Sequence, residues 1–261
     1  MSIAFSPTIL GVIIVVALLS GAVNGVAGFG FAVVATMALA SVIDPATAVV
    51  LMILPILGVN LSLVSGLSGQ DLRTCGRRFA PLVVAATVGT VVGMAVLDVL
   101  PEAPLRVGLG VVSLAFVATT QQLFSLPGLG GAKERCFVET PLAMAGVGAV
   151  SGVLFGATNV GVQLVAYVRS CDLSHGLFVG VIALVFVGIN GLRVGAAAAL
   201  GLYPDATVVA VSVAAVVPAV LGVEIGKRIQ VHVGDRFRQG AVLGLLTVIG
   251  VRLIAGGLGV F

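Results

Sequence analysis

Few residues in this chain have chemistry to offer, and most of them sit in apolar surroundings. The stretch Asn24-Gly-Val-Ala-Gly-Phe-Gly30 lies inside a hydrophobic run, and Gly156-Ala-Thr-Asn-Val-Gly161 follows about 131 residues later. No charged residue occurs from Met1 to Ile43. At about 1.5 Å per residue, such a run overshoots a hydrocarbon core of roughly 30 Å, so something must break it. Glycine costs a helix interior roughly 1 kcal/mol relative to alanine, and it lets backbone turn or approach a ligand. A helix that restarts near Gly30, and another near Gly161, would present free N–H groups and a positive dipole end, which suit an anion. Asn24, Gly25, Gly28 and Gly30 are therefore candidate substrate contacts in the first copy, and Thr158, Asn159, Gly161 and Gln163 in the second. The same glycines also suit plain close packing between membrane helices.

Asn60, Asn190 and Arg193 complete the candidate set. An ionisable group inside a membrane segment is costly, and it is usually functional or paired. Arg193 could hold an anion by a bidentate contact, or snorkel to an interface. Arg252 has the same two readings. Asn60 and Asn190 could touch a ligand or bridge helices. Asp44 and His175 stand at matching junctions, where they could couple protons or cap helices. There is no H-E-x-x-H, no paired-aspartate metal motif and no P-loop, so neither an enzyme nor a cofactor is expected. Ala149-Val-Ser-Gly152 is too weak a match to an intramembrane protease motif to change that.

The elements that position these residues must be membrane helices. The chain has 261 residues, 59% of them hydrophobic and only 9% charged, against about a quarter charged in soluble domains. A formal charge of +3 then reports topology rather than nucleic-acid binding. Three scattered cysteines, Cys75, Cys136 and Cys171, suggest neither a disulfide framework nor a metal cluster. No basic n-region precedes the first apolar stretch, so it is expected to stay in the mature protein.

In order, a long broken segment runs from Pro7 to Ser41 and ends at Asp44-Pro45. Further segments follow over Ala46–Leu67, Phe79–Leu97 and Arg106–Phe124, with a basic loop at Asp71–Arg78 and an acidic turn from Asp98 to Pro104. After a linker, the layout repeats: Thr140–Val168, Gly176–Ala199, Ala206–Val223 and Gly240 onward, with a basic loop from Lys227 to Arg238. The halves align at offsets of 129 to 131, pairing Ser20-Gly21 with Ser151-Gly152, Gly30 with Gly161, and Asn60 with Asn190. We read residues 1–126 as a first repeat, 127–139 as a linker and 140–261 as a second repeat.

Charge decides their orientation. With eight simple crossings, Lys and Arg divide almost evenly between the faces, against the positive-inside rule. If each broken segment returns to its own face, ten gather on one side: Arg73, Arg77, Arg78, Lys133, Arg135, Arg169, Lys227, Arg228, Arg236 and Arg238. Only Arg106 lies opposite, while Arg193 and Arg252 lie within segments. The expectation is an all-α, polytopic membrane protein of two inverted repeats, each with one broken or re-entrant segment and three transmembrane helices. Both termini would be non-cytoplasmic. Inverted repeats with broken helices are the architecture of many secondary transporters.

The duplicated halves, the glycine-rich break in each and the basic loop after the second segment resemble the TauE/SafE family of sulfite exporters, also called the sulfonate-uptake permease family. The likeness covers essentially the whole chain. The family's first-repeat pattern is similar to G-x-x-G-x-G-G-G. Here Gly25-Val-Ala-Gly28-Phe-Gly30-Phe31-Ala32 lacks the last two glycines, and Asn159-Val160 stands where glycine is frequent. The resemblance implies transport of sulfite, an organosulfonate or a related sulfur-containing or organic anion across the bacterial inner membrane. The partners expected are that anion, the lipid bilayer, a coupling proton or cation, and a homodimer joined through Gly-x-x-x-Gly pairs. An anion-selective, channel-like conduit is the alternative.

Overall fold

The computed structural model describes residues 6–64, 68–99, 101–125, 140–169, 175–203, 205–230 and 235–259. The expected linker, Cys136 and Cys171 fall outside them, and so do the side chains of Cys75, Gln163 and His175. Within the described residues every regular element is a helix.

Helix α1 (Pro7–Ala27) starts where the Ser6 hydroxyl accepts from the Ile9 N–H at 3.3 Å and Pro7 takes the first turn. Proline suits that position because its missing N–H would have no helical partner. Nothing in its apolar run stops it before Gly28, whose φ of 81° lies in the left-handed region. Helix α8 (Pro141–Thr158) begins in the same way, with Thr140 capping Ala143, and ends at Asn159 with φ 59°. Each stop residue closes the last turn with its own N–H, Gly28 onto the Asn24 carbonyl at 2.7 Å and Asn159 onto that of Phe155 at 2.8 Å. The chain restarts as α2 (Phe31–Ala40) and α9 (Val162–Arg169). At 10 and 8 residues these arms extend only about 15 and 12 Å, half a membrane or less.

The two helices α3 (Pro45–Leu51) and α4 (Ile53–Val64) run on as one apolar span. Asp44 caps it, its carboxylate accepting from the Thr47 N–H at 2.7 Å and hydroxyl at 2.8 Å. The remaining long helices are α6 (Ala80–Val99), α7 (Glu102–Ser125), α10 (His175–Ala199), α11 (Ala206–Gln230) and α12 (Asp235–Gly257). Six helices among the described residues are long and apolar enough to cross a membrane. Val84, Val88 and Val92 on α6 stay exposed as one stripe, as do Val213, Val217 and Leu221 on α11. Such i, i+4 apolar stripes suit lipid.

Three boundaries differ from the sequence reading. The basic loop at Asp71–Arg78 is a helix, α5 (Gly69–Arg78). Helix α11 continues past Val223 to Gln230, where the Lys227 ammonium meets the Glu224 carboxylate at 2.7 Å on an exposed turn. Helix α7 starts at Glu102 and absorbs half of the expected acidic turn. In each case charged residues marked the end of the apolar run rather than the end of the helix, since helices extend readily beyond the hydrocarbon zone.

Packing follows a paired plan. Helix α1 lies on α11, where Gly21 meets Ala219 and Gly25 meets Val223. Helix α8 lies on α6, where Gly89 meets Ala149 and Gly93 meets Val153. Both pairs run parallel. Helices α7 and α12 run antiparallel, because Gly110 meets Gly250 while Gly257 meets Ala103. A Cβ on Gly21, Gly25, Gly89, Gly93, Gly152 or Gly156 would overlap a backbone carbonyl of the facing helix. These small-residue faces therefore bring backbones together within one chain, and they are not left over for a dimer. The α3–α4 span and α10 fill the centre, with 61% and 56% of their apolar spans buried against 33–39% for the other four candidate membrane spans.

Candidate substrate site at the paired helix breaks

Both breaks open on one cavity of about 40 Å³, a few times the roughly 10–15 Å³ that one water needs. The first half contributes Asn24, the run from Gly28 to Val33, Ile56, Asn60 and Leu63. The second half contributes Gly161, Val165, Ile182, Ala183 and Phe186. None of these side chains carries a charge.

The start of α2 faces this space. Gly30, with φ 106° and open space where a Cβ would go, turns the chain into the helix. The first helical bond runs from the Val34 N–H to the Gly30 carbonyl at 3.0 Å. The N–H groups ahead of it have no acceptor inside the helix. That of Phe31 donates to the Asn24 amide oxygen at 3.1 Å. Those of Ala32 and Val33 belong to cavity-lining residues. The start of α9 comes in from the other half, where Gly161 lies against the Phe186 ring about midway along α10. Asn60 lines the cavity while its amide donates to the Ile56 carbonyl at 2.7 Å.

A second cluster lies beyond Phe186. Arg193 is only 1% exposed. Its Nη1 donates to the amide oxygens of Asn159 and, at 3.3 Å, of Asn190. Its Nη2 donates to the Gly156 carbonyl at 3.2 Å, and its guanidinium stacks 4.9 Å from the Phe155 ring centre. Its Nε has no partner, and no carboxylate pairs with it among the described residues. The Asn159 amide nitrogen continues the chain of contacts to the Thr36 hydroxyl and the Val49 carbonyl, both at 2.9 Å. One asparagine thus ties the second break to α2 and α3 of the first half. The Phe155 and Phe186 rings, 5.1 Å apart, stand between this cluster and the cavity.

The sequence-derived candidates therefore divide. Asn24, Gly28, Gly30, Asn60 and Gly161 line the cavity. Asn159, Asn190 and Arg193 form the buried cation cluster. Gly25 faces α11 instead. Thr158 turns its hydroxyl to the Leu154 carbonyl at 2.6 Å and accepts from the Val160 N–H at 3.2 Å. Gln163 contributes backbone in the first turn of α9. Arg252 is exposed, as an interfacial side chain would be. Thr36 and Phe155 escaped the sequence reading. A hydroxyl alone in the apolar α2 was the available signal for the first, while an aromatic in an apolar run gave none for the second.

No curated protein and no solved structure matches the chain. The family described as Sulfite exporter TauE/SafE matches it over residues 13–253, nearly end to end. A cavity between two interrupted helices, in a fold of long apolar helices, agrees with that description. The chain belongs to the sulfite exporter TauE/SafE family.

Proposed function

We propose that this protein is a secondary transporter that moves a small anion, sulfite or a related organosulfonate or organic anion, across the bacterial inner membrane by alternating access. The observation that carries the reading is the shared cavity on which both broken helices begin, lined by the first turn of α2, whose N–H groups have no acceptor within the helix. Such groups, together with the two helix dipoles, favour negative charge where water is scarce. The lack of any acidic lining residue agrees with this.

The parallel α1–α11 and α6–α8 pairs, together with the antiparallel α7–α12 pair, are what two inverted repeats would give. Repeats in the same orientation would make the last pair parallel. The short arms α2 and α9 favour re-entrant segments, which put both termini on the non-cytoplasmic side. A small cavity with mainly apolar walls speaks for a carrier over a channel-like conduit, which needs a continuous polar lining.

The test is uptake of sulfite, sulfoacetate and taurine into proteoliposomes under defined proton and anion gradients. Saturable uptake that Gly161→Leu abolishes, with the variant still inserted and monodisperse, is the expected result. A Cβ on Gly161 would collide with the Phe186 ring, so a leucine there must displace a ring that lines the cavity. Unchanged uptake in that variant would remove the breaks from the mechanism.

A further inference from the structure

The cavity is lopsided, and the two halves of the chain show what the missing side would contain. A shift of 130 or 131 positions carries Gly28 onto Asn159, two left-handed helix stops with the same backbone bond. It carries Asn60 onto Asn190, whose amides donate to carbonyls four residues back, at 2.7 and 2.8 Å. It carries Ile56 onto Phe186 and Leu63 onto Arg193. The cavity takes Asn60 and Leu63 from the Val64 end of α4, but Ile182 and Ala183 from the His175 end of α10. It therefore extends to one side of the breaks. On the other side, the equivalents of Asn60 and Leu63 are Asn190 and Arg193, both buried and closed off by the Phe155–Phe186 pair.

We propose that the protein has an opposite-facing state in which the cavity shifts to the Ala199 end of α10, and that Arg193 contacts the anion only in that state. This rests on the alternating-access reading above. An inverted repeat passes between its two access states by exchanging the conformations of its halves. The exchanged cavity would be lined by Asn190 and Arg193 where this one has Asn60 and Leu63. Two observations on that side point to a ligand. Arg193 is a fully buried cation whose Nε has no partner and which no described carboxylate balances. The Tyr203 phenol oxygen at the same end of α10 is also buried without a partner. It lies near enough to feel the Arg193 charge, which opposes the upward pull of burial on the phenol. The two access states then hold the anion unequally, through neutral amides on the Gly69–Arg78 face and a guanidinium on the Gly201–Tyr203 face.

The test labels single cysteines in a background with Cys75, Cys136 and Cys171 replaced by serine. Asn60→Cys should react with an impermeant thiol reagent from the α5 face, and Asn190→Cys from the face carrying Tyr203. Reaction of both from the same face alone, or of Asn190→Cys from neither, would overturn the proposal whether or not any tested anion is transported. Transport adds a second readout. In oriented proteoliposomes, Arg193→Gln should raise KM for sulfite presented at the Tyr203 face by roughly tenfold or more, the loss of one charge-assisted contact. KM at the α5 face should stay within about twofold, since no such contact is lost there. Arg193→Lys should recover part of the difference. An equal rise at both faces, or a fall in kcat with neither KM changed, would make Arg193 a structural strut. Absence of saturable uptake by the unaltered protein would instead count against the transport reading itself.

Discussion

Asn159 does two things that different substitutions can separate. Its φ of 59° makes it the one non-glycine residue in the left-handed region among those described. Its side chain joins Arg193 to Thr36 and Val49. Asn159→Gly keeps the backbone and deletes the bonds, leaving buried partners unsatisfied at roughly 1–3 kcal/mol. Asn159→Ala deletes the same bonds and adds left-handed strain of roughly 1–2 kcal/mol. Thermal unfolding of the purified protein should rank the alanine variant below the glycine variant, with both below the unaltered protein. Equal melting of the two would show that backbone conformation matters little at this stop. Arg193→Met should behave differently. Removing the cation relieves its desolvation but leaves the Asn159, Asn190 and Gly156 oxygens without their donor, so two terms of similar size oppose each other. Melting close to that of the unaltered protein, with KM for sulfite raised at the Tyr203 face alone, is the expected pair of results. A large fall in melting temperature would make the guanidinium a structural necessity.

At the scale of the elements, glycines with opposite surroundings should respond oppositely to one methyl group. On α8, Gly152 faces the Ala86 carbonyl of α6 so closely that a Cβ would overlap it. Gly152→Ala must push two backbones apart, an overpacking cost of roughly 1–3 kcal/mol. On α10, Gly195 has open space where its Cβ would go. Gly195→Ala should stabilise by roughly 0.5–1 kcal/mol through helix propensity. Unfolding in mild detergent with added denaturant would measure both. A neutral Gly152→Ala would mean that α6 and α8 are held together by something other than their small-residue faces. Both residues look alike in the sequence, since each is a glycine in an apolar helix. Only the neighbouring helix distinguishes them.

At the scale of the molecule, orientation is the property to test. The pairing directions of the long helices and the concentration of Lys and Arg in alternate connections lead to the same arrangement. Impermeant reagents should reach cysteines placed at Arg77 and Lys227 from one side of the membrane, and a cysteine at Gly201 from the other. Reaction at Arg77 and Lys227 from opposite sides would mean that the broken segments cross the bilayer. At this level the membrane-helical character was legible in the sequence, and the orientation of the halves is what the labelling tests. The apolar runs, their overlong first members, the 130-residue echo and the loop charges are one-dimensional features, and together they predicted membrane helices in two related halves. Helix ends were less legible, because charges near Asp71 and Lys227 mark departure from lipid, and α5 and α11 are helical beyond that point.

The candidate site was legible as a set of residues and not as an arrangement. Glycines and amides inside apolar runs stand out by type, since polar groups in lipid need a reason to be there. Their grouping depends on which faces of α1, α4, α8 and α10 meet, and no local pattern encodes that. The sequence by itself determined a membrane-embedded helical protein with two glycine-marked helix breaks, because hydropathy, glycine and charge act residue by residue. Only the tertiary structure decided that Gly25 serves packing, that five of the candidates share a cavity, and that Arg193 lies sealed behind two phenylalanine rings. Those outcomes follow from contacts between separate helices, α1 with α11, α4 with α10 and α8 with α10, which no single segment encodes.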